Sequence, residues 1–137
     1  MSRSEPSRAQ AFAAVAAGGA IGALARWGVD VAIEATGRHA AWATLSVNVA
    51  GCLLMGLLVS YVLSHPDRHG LWRPFLGIGV LGGFTTFSAF AVDTVALILG
   101  GSPAWALAYL VASVAGSLAA VWAGFAAGRA LRRRSTS

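Results

Sequence analysis

Lysine is absent from this 137-residue chain, cysteine occurs once, and aspartate and glutamate together number five. Each shortage excludes something. With Cys52 alone, no internal disulfide can form. Charged residues make up only 11% of the chain and hydrophobic residues 57%. Ordinary soluble domains carry about 25% charge, and a fold this small has no interior large enough to hide so much apolar surface. The composition therefore specifies a membrane protein of one small domain. No ATP-binding motif and no catalytic triad occurs, so no enzyme is read from the sequence.

Without lysine, all ten basic residues are arginines: Arg3, Arg8, Arg26, Arg38, Arg68, Arg73, Arg129, Arg132, Arg133 and Arg134. A pI near 11.1 can indicate nucleic acid. Here the arginines flank apolar runs and build no basic face with aromatics between them, so nucleic acid is excluded as a partner.

A spanning helix needs about 20 apolar residues, and four segments supply them. They run approximately over residues 9–29, 42–63, 74–99 and 103–128. The connections "EATGRHA", "SHPDRHG" and "GGSP" carry the turn chemistry. Ser102 is placed as an N-cap and Pro103 at the first position of the fourth helix. Trp42, Trp72 and Trp105 fall near span ends, where aromatic belts form. Residues 9–25 after Arg8 mimic a signal peptide with "ALA" at 23–25, but the run is long for a signal core and three spans follow it.

With four spans, both termini and the 64–73 loop share one side. That side holds eight arginines and the other holds Arg26 and Arg38. The bias predicts a multi-pass protein of the cell (plasma or inner) membrane with both termini in the cytoplasm.

"GIGVLG" at 77–82 has the spacing of a dinucleotide fingerprint, but it lies inside a span with no strand before it. Gly18 and Gly22, and then Gly116, Ala120, Gly124 and Gly128, recur every four residues. Such stripes let helix backbones approach closely. Thr44, Asn48 and Cys52 share a face of the second helix, and Tyr109, Ser113 and Ser117 share one on the fourth. Asn48 carries two donor hydrogens and an acceptor oxygen that all need partners. Helix–helix glue and a pathway role are both open to it. Arg26 and Asp93 are charges in or near the membrane, costing about 2.5–3.5 kcal/mol at a helix centre, and a structural Arg26–Asp93 pair is the plainer alternative to a functional role for both.

The stretch "GGFTTFSAF" at 82–90 concentrates weak helix formers with three phenylalanines. Glycine costs about 1 kcal/mol relative to alanine in a helix interior, and β-branched threonines add to that. A broken third helix at Gly82–Thr86 is expected. A break frees backbone carbonyls, which membrane proteins tolerate only where protein buries them or a cavity hydrates them. Phe87 and Phe90 lie at i and i+3, and ring edges are positive. An edge-on pair suits a small anion; a face-on ring suits a cation.

"GGAIGALARW" (18–27), "TLSVNVAG" (44–51) and "GGFTTFSAF" resemble, in order and spacing, the three signature stretches of the small fluoride channels, the CrcB or Fluc family. The resemblance covers the whole membrane portion. It implies an all-α integral membrane fold that assembles as an antiparallel, dual-topology dimer with two fluoride pores. The family's phenylalanine pair falls on Phe87 and Phe90, its pore asparagine on Asn48, and its polar track on Thr44, Ser88, Tyr109, Ser113 and Ser117. A structural, untransported Na+ at the dimer centre is implied, held by the backbone carbonyls of Gly82 and Thr85. The vestibule arginine corresponds to Arg26, and the acidic position after the second phenylalanine is Asp93.

Three positions depart from the pattern: Ala89 replaces a track threonine, Asp93 a glutamate, and Ala43 a glycine. The function implied is passive, fluoride-selective export that lowers fluoride toxicity, within membrane lipid. Two other readings fit four short spans: a small multidrug/proton antiporter, and a non-transporting assembly subunit. The first relies on an acid deep in the first helix, and residues 9–25 contain none. The arginine bias opposes insertion both ways up, so an oppositely oriented paralogue is the expected second subunit.

Overall fold

The computed structural model describes residues 6–64 and 70–135. Arg3 and Arg68, which enter the arginine count, lie outside the described residues. Among the described residues every regular element is helical. Four helices are long and apolar enough to cross a membrane: Arg8–Glu34, Ala40–Ser64, Pro74–Leu99 and Pro103–Arg133.

The first helix, α1 (Arg8–Glu34), opens on a capping box in which Ser7 and Gln10 satisfy each other's backbone N–H groups. It runs past the apolar segment and carries Asp30 and Glu34 on its last turns. After a turn at Gly37, α2 (Ala40–Ser64) returns across the membrane. The fourth spanning helix, α5 (Pro103–Ser135), follows a turn in which Gly101 adopts φ +75°. There Gly101 N–H donates to Ile98 and Ser102 N–H to Leu97. Those two bonds are the Schellman pattern, which needs a left-handed residue and finds it in Gly101.

The third span is three pieces. Pro74–Leu81 is π-helical, α3 (Gly82–Phe84) is a single α turn, and α4 (Phe87–Leu99) is regular. Thr85 (φ −81°, ψ 156°) and Thr86 (φ −148°, ψ 128°) between them are extended. The break expected over 82–86 is therefore present, but its centre is the threonine pair. Both glycines remain helical. Their lost conformational entropy weakens a helix without ending it, whereas the Thr86 backbone finds other hydrogen-bond partners while Thr85 N–H still donates to the Leu81 carbonyl.

The small-residue stripes are the seams of the bundle. A Cβ on Gly22 would collide with the Val80 carbonyl, and one on Gly56 with the Val121 carbonyl. Gly18 meets the Phe75–Gly79 turn, Gly124 meets Leu53, and Gly128 meets Ser60. Both series advance together along the chain, so α1 runs parallel to the third span and α2 parallel to α5. This up-down-up-down order puts the start of α1 and the ends of α2 and α5 on one side. Among the described residues the α2–α5 contact and the contact of α1 with the third span are the two most extensive. Outside the seams, Phe12, Leu24, Trp27, Trp105 and Trp122 are exposed, as suits helices facing lipid or another subunit.

Candidate anion pathway at the broken helix

The break is held open by Asn48. Its Oδ1 accepts from Thr86 N–H at 2.8 Å, and its Nδ2 donates to the Thr86 carbonyl at 2.9 Å. One carboxamide thus replaces both backbone partners that Thr86 loses by leaving the helix. This spends one of two Nδ2 hydrogens and one lone pair of Oδ1. A second donor hydrogen remains. Thr86 then starts α4 by accepting from Ala89 N–H on its own hydroxyl at 3.2 Å.

Freed carbonyls follow from this arrangement. In an unbroken helix the Gly82 carbonyl would receive Thr86 N–H, and the Thr85 carbonyl would receive Ala89 N–H. Both donors point elsewhere, to Asn48 and to the Thr86 hydroxyl. The Gly83 carbonyl is covered instead by Arg26 Nε at 3.4 Å, and Arg26 also stands 4.0 Å from Asp30. The structural Arg26–Asp93 pair, the plainer alternative, does not form. Arg26 serves the helix break from α1, while Asp93 is buried and accepts from the Tyr109 hydroxyl at 3.3 Å. Opposite charges in sequence do not pair when their helix faces point to different neighbours.

Beyond the break, Phe87 and Phe90 share one face of α4 with centroids 5.8 Å apart at 47°. Phe90 continues the ladder to Tyr109, 5.6 Å away at 34°. An open cavity of about 410 Å³ is lined by Asn48, Thr86, Phe87, Phe90, Ser113 and Ser117, together with Cys52 and Thr85. Ser113 is 5% exposed. Among the described residues its Oγ has no hydrogen-bond partner. A buried hydroxyl without a partner costs about 1–3 kcal/mol.

The other expected track residues are placed differently. Thr44 is buried in α2 and is not among the residues lining this cavity. Tyr109 lines a separate apolar cavity with His39, Trp42 and Trp105. Ser88 is exposed, and its hydroxyl lies 3.2 Å from that of Thr86. Phe87 is 80% exposed on the single chain. Thr86 was legible in the sequence only as part of the break. Its role as clamp and cap depends on Asn48, 38 residues away.

A family model described as "CrcB-like protein, Camphor Resistance (CrcB)" matches residues 13–125. The chain belongs to the CrcB family. It is 47% identical over 133 residues to "Fluoride-specific ion channel FluC 2" of Thermobifida fusca (strain YX), covering 91% of this chain and 96% of that one. It is 50% identical over 120 residues to "Fluoride-specific ion channel FluC" of Paracoccus denitrificans (strain Pd 1222), covering 88% and 95%. "Fluoride-specific ion channel FluC 1" of Streptomyces coelicolor is 40% identical over 131 residues, with 95% and 85% covered. These CrcB relatives are matched nearly end to end, so the break, the phenylalanine ladder and both polar helix faces all lie within the shared region.

Proposed function

We propose that this chain forms a passive, fluoride-selective channel and is not an enzyme. The observation that carries the reading is the cavity at the break, where the spare Asn48 hydrogen, the unpartnered Ser113 hydroxyl and the Phe87–Phe90 pair converge. Donors and ring edges are what a small anion needs, and membership in a family with fluoride-channel relatives fixes which anion.

Moving a carboxylate-sized ion into a medium of low dielectric costs of order 20 kcal/mol. Fluoride is smaller and costs more. Ring edges return about 1 kcal/mol each, by analogy with aromatic pairs, so Phe87 and Phe90 act together with Asn48, hydroxyl donors and hydrated vestibules. Hydrogen fluoride crosses bilayers uncharged and dissociates inside. A passive pore then lets the membrane potential expel the anion.

The exposed Phe87 and the open cavity support a second subunit that closes the pathway. An antiparallel dimer brings two copies of the break together. The Gly82 and Thr85 carbonyls, stripped of their helical donors, would hold a structural Na+ there, since hard oxygen donors suit hard cations. That ion would tie the two breaks together without being transported. Eight arginines on one side against two favour both termini in the cytoplasm and an oppositely biased paralogue as partner. Purification of this chain alone as an active antiparallel homodimer would remove the need for that partner.

The direct test is efflux from proteoliposomes followed with a fluoride electrode, with chloride as control. Fluoride release without chloride release is expected. Release no faster than from protein-free liposomes overturns the reading.

A further inference from the structure

The last two turns of α5 hold a cluster that conduction leaves unused. Arg129, Arg132, Arg133 and Arg134 follow directly on the apolar span. The helix stays regular through Ser135. Arg129, Arg132 and Arg133, at i, i+3 and i+4, share a face. Arg132 is tied down: its Nη1 donates to the Ser60 carbonyl near the end of α2 and to Ser60 Oγ at 2.9 Å. The Arg129 guanidinium lies 5.9 Å from the centre of the Phe125 ring. A stacked guanidinium keeps its N–H fork directed outward. Arg129 and Arg133 are both exposed.

The depth of this cluster is fixed by helix length. The run from Pro103 to Gly128 rises about 39 Å at 1.5 Å per residue. A bilayer with its headgroups is about 40–45 Å thick. The arginines therefore emerge in the phosphate layer rather than in the aqueous phase. A rigid, basic, outward-facing helix end at phosphate depth matches a bidentate oxyanion of lipid.

We propose that this helix end is a binding site for the headgroup of anionic phospholipid, with Arg129 and Arg133 contacting the phosphate and Arg132 anchoring the site to α2. The site is independent of the anion pathway and of the ion conducted. Juxtamembrane arginines each contribute about 1 kcal/mol toward anionic membranes, so removing two lowers affinity about thirty-fold.

The test is native mass spectrometry of the full chain from mixed phosphatidylglycerol and phosphatidylcholine vesicles. The wild type is expected to retain phosphatidylglycerol selectively. R129Q/R133Q is expected to lose that preference about thirty-fold, R129K/R133K to keep part of it, and R38Q, at the opposite end, all of it. Equal retention of both lipids by the wild type overturns the proposal, as does an equal loss in R38Q. Should the double glutamine variant fail to fold, R133Q alone serves, with about a fivefold loss expected and no change counting against the site.

Discussion

Asn48 and Thr86 exchange two hydrogen bonds across the broken helix, at 2.8 and 2.9 Å, so one side chain of α2 supplies both backbone partners that the break removes. Asn48→Asp separates the two duties. Aspartate still accepts from Thr86 N–H, but it leaves the Thr86 carbonyl facing a carboxylate and brings negative charge to the cavity. Loss of fluoride efflux is expected, with a destabilisation of about 1–3 kcal/mol from the unpaired carbonyl. Asn48→Ala, losing both bonds, should unfold more readily than N48D in a thermal melt in detergent. A variant of either kind that conducts normally would remove Asn48 from the pathway.

The phenylalanine pair predicts an asymmetry. Phe90 contacts both Phe87 and Tyr109, whereas Phe87 contacts Phe90 and is otherwise exposed on the chain. Replacing either by isoleucine keeps an apolar side chain and removes the positive ring edge. With each edge worth about 1 kcal/mol, at least a fivefold fall in fluoride efflux is expected for F87I. F90I should fall further, because the ladder to Tyr109 goes with it. Efflux from proteoliposomes measures both, and two fully conducting variants would contradict the role of the rings.

The four apolar spans were plain in the sequence because the bilayer length leaves little choice once about 20 uncharged residues run together. The bend was plain too, since Gly82, Gly83, Thr85 and Thr86 are all poor helix formers. Which residues leave the helix was not, because that depends on where replacement donors sit. Asn48 delivers them to Thr86, and no local pattern names a partner 38 residues away. The alternative of an Arg26–Asp93 pair could not be decided from sequence for a related reason. Charge complementarity carries no information about helix faces, and the faces send Arg26 to Gly83 and Asp93 to Tyr109. The polar faces on α2 and α5 were visible as i, i+4 series. Their division between two cavities, with Tyr109 apart from Asn48, needed the third span in place.

The glycine seams make a prediction about assembly of the bundle. At Gly56 a Cβ would strike the backbone of α5 at Val121, and backbone cannot rotate away as a side chain does. Overpacking of this kind costs about 1–3 kcal/mol and sometimes more. Gly56→Ala and Gly22→Ala should each lower the yield of monodisperse protein and its melting temperature. Gly28→Ala meets nothing within 4 Å among the described residues and serves as control. Unchanged melting of G56A would show that the α2–α5 crossing is looser than described.

Ser113 offers the sharpest separation of stability from conduction. Its hydroxyl is buried and unpartnered among the described residues, so there it contributes desolvation cost and no compensating bond. Removing such a group is neutral or stabilising, by up to about 1–3 kcal/mol. If the hydroxyl exists to donate to a passing anion, Ser113→Ala should melt at the same temperature or higher and yet pass fluoride more slowly. Ser113→Thr, which restores the hydroxyl with one added methyl, should recover part of the rate. A residue that only packs the α2–α5 seam gives the opposite pattern, with reduced melting temperature and unchanged efflux. Melting and efflux measured on the same preparation therefore distinguish a donor in the pathway from a filler in the core.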